Sequence, residues 1–169
     1  MKILIISDSH GNISNIKSVM EIAHKSKIDA LIHAGDWNTP ESVWTVLSYN
    51  IPTFAVLGNA DIAFEVTERL KAKSKKFDEN FLTLDLGGKK IGVTHKPSDN
   101  KIFFKENKHP TVQNLDLIVN GHLHSAFEKK ESQTKIVRPG ALVNAINFAV
   151  YDTDLDEVNF INEELLSSS

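Results

Sequence analysis

Short apolar runs recur along the chain at Ile3–Ile6, Ala30–Ala34, Thr53–Leu57, Ile91–Thr94 and Leu115–Val119, punctuated by Gly, Asp or Asn. Runs this short, rich in Ile, Val and Leu and without polar alternation, predict strands buried on both faces. Between the early runs the apolar positions follow a helical period. Ile13, Ile16, Val19, Met20 and Ala23 recur at three- and four-residue steps, with Asn12 or Ser14 as the N-cap. "TPESVWTVL" offers Thr39 as N-cap and Pro40 at the first helical position, and Val43, Trp44 and Leu47 as its buried stripe. A third helix is expected over Glu65–Lys76.

Strand alternating with helix predicts a βαβαβ start on a parallel sheet. The pattern then changes. Phe81–Leu86 and Lys89–His95 flank Gly87-Gly88, a hairpin signal. Further short strands follow Val119, with turns at Pro139-Gly140 and at Thr153–Asp156. The expected fold class is α/β with a substantial antiparallel part. No repeat or linker divides the chain, so a single domain over 1–169 is expected, with the tail from Leu166 to Ser169 frayed.

Composition narrows the function classes. A chain of 169 residues, 41% hydrophobic and 24% charged, is ordinary for a soluble domain with a real core. The net charge is −3 and Arg69 and Arg138 are the only arginines, so no polymeric nucleic-acid surface is expected. No cysteine is present, which excludes disulfides and thiolate metal sites. The apolar run within "MKILIISDSHG" is too short for a signal peptide or a membrane span. A cytoplasmic location without a membrane partner is the expectation.

The chemistry lies at the strand ends. Asp8 and His10 follow the first run, Asp36 the second and Asn59 the third; His95 ends the hairpin strand, and His122 and His124 follow the next strand. In open α/β sheets ligands bind at the carboxyl ends of strands. If these ends converge, carboxylate, carboxamide and imidazole groups share one crevice. The single residue between the members of Asp-x-His and of His-x-His lets both point to one side of extended backbone. Such an inventory exceeds one tetrahedral zinc and suits two divalent ions sharing a bridging carboxylate. Two ions roughly 3.5–4 Å apart would clamp an in-line displacement at phosphorus.

The motifs "DSH" at 8–10, "GD" at 35–36, "GNAD" at 58–61, "THKP" at 94–97 and "GHLH" at 121–124 run in one order over most of the chain, and "RPGAL" follows at 138–142. In this the sequence resembles the calcineurin-like metallophosphoesterases, especially their small single-domain phosphodiesterase branch. The resemblance implies a four-layer αββα sandwich with two mixed β-sheets. It implies that Asp8, His10 and His124 hold a first metal, that Asn59, His95 and His122 hold a second, and that Asp36 bridges them. Asp36, Asn59 and His95 would be catalytic. The cofactor would be two divalent ions, Mn²⁺ foremost, with Ni²⁺, Fe²⁺ and Zn²⁺ as alternatives. A metal-bound hydroxide would attack a small phosphate diester. A homo-oligomer is also compatible with the resemblance.

Two positions depart from the family pattern. Ala60 stands where the family often has His after the Asn. Loss of that general acid would cost about 10²–10⁴-fold for poor leaving groups, so diesters with good leaving groups should be preferred. Lys96 stands where the family usually has Gly, as a reach to a substrate phosphate or as a solvated loop lysine. Asp61 would orient an imidazole or cap a helix. Trp37, beside Asp36, is a candidate wall of the substrate site or a core residue, as is Trp44. His33 reads as a core histidine, with a role behind the ligands as the alternative. His24 and His109 read as solvent-facing, and "KAKSKK" at 71–76 as a solvated helix face. Asp8 and Asp36, taken singly, could be helix caps. A non-catalytic scaffold of the same fold, like the retromer subunit, is the competing function, and a degraded ligand set would mark it.

Overall fold

The chain opens with a strand whose last four residues are fully buried, and the molecule is layered around it. This is a computed structural model, and it describes residues 1–62, 64–104 and 115–163. His109 and the tail from 166 to 169 lie outside the described residues. In the first half, β1 (Lys2–Ile6), α1 (Ile13–Lys25), β2 (Ala30–His33), α2 (Pro40–Leu47), β3 (Thr53–Val56), α3 (Phe64–Lys73) and β4 (Lys76–Asp78) alternate. The second half contains β5 (Phe81–Leu86), β6 (Lys89–Thr94), a 3-10 turn at Pro97–Asn100 and the short α4 (Lys101–Phe104). It continues with β7 (Leu117–Val119), β8 (Ala126–Glu131), β9 (Thr134–Pro139), β10 (Asn147–Asp152) and β11 (Glu157–Asn162).

Two mixed sheets result. One runs β11-β10-β1-β2-β3-β4, parallel from β1 to β4 and antiparallel at β1–β10 and β10–β11. The other runs β5-β6-β7-β9-β8, parallel through β6, β7 and β9 and antiparallel at both edges. Ile3, Ile5, Ile32 and Val56 of the first sheet pack against Leu84, Val93, Val119 and Val137 of the second. The outer face of the first sheet, through Leu4, Ile6 and Leu31, is covered by Val19 and Met20 of α1, Val43 and Val46 of α2 and Leu70 of α3. The outer face of the second is covered thinly, by Phe103 of α4 against Ile118. The α/β sandwich of two mixed sheets is therefore as expected. Among the described residues the fourth layer amounts to that short helix, and no helix is long and apolar enough to cross a membrane.

Local signals explain most boundaries. Asn12 caps α1 by accepting the Asn15 N–H, and Thr39 caps α2 by accepting the Ser42 N–H with Pro40 at the first helical position. Asp8 and Asp36 therefore cap neither helix. Gly87 and Gly88 both take positive φ in the β5–β6 hairpin. Three details depart from the sequence pattern. Trp44 is 58% exposed, because Val43 and Val46 form the inner face of α2. The third helix ends at Lys73, and Lys76–Asp78 pairs with β3 instead of extending it. Strand β8 is exposed along its length, so no apolar period announces it.

Candidate metal centre

Four of the strand-end residues sit in a backbone conformation that side chains rarely adopt. Asp8, His10, Asp36 and His122 have φ of 52°, 41°, 60° and 68°. Non-glycine residues in the left-handed region cost energy and cluster at functional sites. Loops after β1, β2 and β7 carry these residues, and the first two loops are bonded to each other. Asp8 N–H donates to the Gly35 carbonyl at 3.0 Å and His10 N–H to the Asp36 carbonyl at 3.0 Å.

The side chains converge. Donor atoms of Asp8, His10 and His124 lie within 4.8 Å of one another, and so do those of Asp8, Asp36 and His95. Asp8 thus belongs to both groups, and His122 belongs to neither. The His122 ring lies edge-on to His95 at 5.2 Å between centroids, and its backbone N–H donates to both Asp8 oxygens at 3.1 and 3.0 Å. Asn59 joins through its Oδ1, 3.1 Å from His95 Nε2.

The arrangement fits a cation. Asp8 and Asp36 are almost wholly buried, yet among the described residues no Lys or Arg pairs with either; the only ion-pair partners are imidazoles, beside neutral donors from Ser7 Oγ and backbone N–H groups. Buried carboxylates without a charge partner are costly. His95 Nδ1 sits 2.8 Å from the Ala34 carbonyl, so it carries the proton there and Nε2 faces Asp36 Oδ2 at 3.4 Å. His10 Nε2 is buried 3.3 Å from the same oxygen and makes no hydrogen bond. Imidazole nitrogens and carboxyl and amide oxygens thus point at common positions, which is the donor set that suits a divalent ion. Burial works to raise the Asp36 pKa, but donation from His95 and from the Ala60 N–H overcomes it and holds it at about 2. Burial likewise opposes charge on His95, and its contact with Asp36 outweighs that and raises its pKa.

Glycines let these loops meet. A Cβ on Gly58 would stand 2.0 Å from Asp36 Oδ1, and one on Gly121 would stand 2.9 Å from Asp8 Oδ2. The small residue before Asn59 and before His122 is therefore a requirement of close approach.

The pattern of the calcineurin-like phosphoesterase superfamily domain matches residues 1–156. The chain belongs to this superfamily. Within it, the chain is similar to the protein named Phosphodiesterase MJ0936 of Methanocaldococcus jannaschii, 25% identical over 93% of this chain and 96% of that protein. The solved structure of an archaeal phosphodiesterase superposes with a TM-score of 0.81 at 24% identity, covering 96% of this chain and 99% of that one. A Vps29 of Entamoeba histolytica also shares the fold, with a TM-score of 0.66 at 14% identity over 96% of this chain and 99% of that one. The chain is thus a metallophosphoesterase by family, and the family is metal-dependent.

Within these motifs the structure overturns the wall reading of Trp37 and both readings of Asp61, and it adds a backbone role for Ala60. Trp37 does not face a substrate. It is fully buried, stacked on His33 at 3.5 Å, with its indole N–H donating to the Val56 carbonyl. Asp61 neither orients an imidazole nor caps a helix, because its oxygens accept backbone N–H groups of Gly58, Asp36 and Asn38. Ala60 takes part through its backbone: its N–H donates to Asp36 Oδ1 at 2.8 Å.

His33 is a fully buried, hydrogen-bonded core histidine, as its sequence context predicts. Its Nδ1 accepts the Gly35 N–H at 3.2 Å, which leaves the ring proton on Nε2, 3.2 Å from Ser9 Oγ. Ser9 Oγ in turn donates to the Asp36 carbonyl at 3.4 Å. The ring is therefore neutral, and burial holds its pKa well below the usual value. Lys96 lines a cavity of about 590 Å³ that opens beside Asn59 and His95. Sequence reasoning missed the backbone N–H groups that aim Asp36; the glycines of "GD" and "GN" were the available signal.

Proposed function

We propose that this chain hydrolyses small phosphate diesters through a two-metal centre. Asp8, His10 and His124 would hold one ion, Asn59, His95 and His122 the other, and Asp36 would bridge them. The observation that carries this reading is the pair of buried carboxylates, Asp8 and Asp36, ringed by imidazole nitrogens without a Lys or Arg partner among the described residues. Similarity to a named phosphodiesterase supports the diester class. When bound, divalent ions neutralise charge at phosphorus and lower the pKa of water to near neutrality. Mn²⁺ is the foremost candidate, with Ni²⁺, Fe²⁺ and Zn²⁺ as alternatives.

The chain's own residues set the geometry. Asp36 is aimed by the Ala60 N–H, and His95 is oriented by its Nδ1 bond to Ala34. With Ala at position 60, no side chain at that position can protonate a leaving group. Good leaving groups should therefore be favoured. The test is kcat/KM for bis-p-nitrophenyl phosphate against glycerol phosphate, with Mn²⁺, Ni²⁺, Zn²⁺ and Mg²⁺ in turn. The diester should win; an alkyl monoester preferred at neutral pH overturns the reading. The scaffold reading draws on the Vps29-like fold. Against it, all seven candidate positions carry Asp, Asn or His.

A further inference from the structure

The cavity beside Asn59 and His95 has a definite construction. One wall is Phe81 at the start of β5, together with Leu57 just past β3. The other is the segment from Lys96 to Ile102, which contributes Lys96, Lys101 and Ile102. That segment is anchored from below. Asn100 and Asn120 exchange reciprocal amide hydrogen bonds of 2.9 and 2.7 Å, and Thr94 Oγ1 accepts from Asn120 at 2.7 Å; all three residues are buried. The two walls are also tied to each other, because Phe81 meets buried Phe103 edge-on at 6.1 Å. A fully satisfied buried amide network fixes the backbone that carries it.

Its charge is unbalanced. Glu79 at the rim is offset by Lys71 at 3.4 Å. Asp99 is the remaining acid. Among the described residues neither Lys96 nor Lys101 forms an ion pair, so two ammonium groups face one carboxylate. A simple diester has a single negative charge, and the metal centre would claim it. The surplus positive charge in the cavity has no partner in such a substrate.

Building on the phosphodiesterase reading, we infer that this cavity takes one ester group of the substrate and selects a group that joins a flat ring to a second phosphate. The ring rests against Phe81, Leu57 and Ile102, and the second phosphate meets Lys96 and Lys101 as point charges. The substrate class is then a nucleotide carrying a phosphate besides the scissile diester.

The test compares thymidine 5′-(p-nitrophenyl phosphate) with its 3′-phosphorylated form, in Mn²⁺ and at low ionic strength, where exposed charges act most strongly. In the wild type the 3′-phosphate should raise kcat/KM by about fivefold through KM. In K96A/K101A the ratio should fall to about one. A wild-type ratio of one, or a ratio unchanged in the double variant, overturns the inference while leaving the phosphodiesterase reading intact. If neither ester is hydrolysed with any metal, that reading fails instead. Calorimetric Kd values for thymidine 3′,5′-bisphosphate against thymidine 5′-monophosphate, in wild type and double variant, then decide the cavity's preference without turnover.

Discussion

Asp61 Oδ2 accepts the backbone N–H of Asp36 at 2.9 Å. The same oxygen accepts the Gly58 N–H at 2.8 Å, and Oδ1 accepts the Asn38 N–H at 2.7 Å. One buried carboxylate thus joins the loop that carries Asp36 to the turn that carries Asn59. D61N keeps the shape but turns an amide N–H₂ toward backbone donors. Orienting groups behind metal ligands are typically worth 10–100-fold. D61N should lose about that in kcat/KM and in Mn²⁺ affinity by calorimetry. D61A, which strands three N–H groups, should also lower stability by at least about 1–3 kcal/mol in urea unfolding.

Gly58 gives a second, steric prediction. An added Cβ would overlap Asp36 Oδ1, so the carboxylate or the turn must move. G58A should cost about 1–3 kcal/mol of stability. It should fold, yet bind Mn²⁺ far more weakly than wild type in a calorimetric titration. Native metal affinity in G58A would show that Asp36 is not held where the close contact puts it.

His33 supplies a pH signature. Its ring is neutral in the fold with a lowered pKa, whereas the unfolded histidine titrates near 6.5. Below that value the unfolded chain binds a proton that the folded chain refuses, so stability is lost as pH falls through about 6.5. Between pH 7.5 and 5.0 the metal-free wild type should lose more stability than H33Q. Equal losses in urea unfolding would mean that the ring is free to protonate in place.

Much of this was legible in residue types and spacing. Thr39-Pro40 marked a helix start, Gly87-Gly88 a hairpin, and Asp, Asn or His after apolar runs marked the strand ends whose side chains converge. What escaped depends on partners distant in sequence. Ala60 has a side chain without chemistry, but its N–H aims an oxygen 24 residues away. Asp61 bonds backbone donors, which no residue pattern specifies. Trp37 was open between wall and core, and the structure gives the core: a left-handed residue at Asp36 (φ 60°) precedes it, and its ring lies buried on His33. Strand β8 escaped because an exposed edge has no buried face to impose a period.

The central claim is that Asp36 holds the metals that cleave a phosphate diester. The most direct measurement is hydrolysis of bis-p-nitrophenyl phosphate by wild type and D36A, each stripped with chelator and titrated with Mn²⁺. Wild-type activity should vanish with chelator and return with Mn²⁺, while D36A stays at least about 10³-fold slower at every concentration although it remains folded. Equal rates for the two proteins, or hydrolysis that survives chelation, would contradict the account.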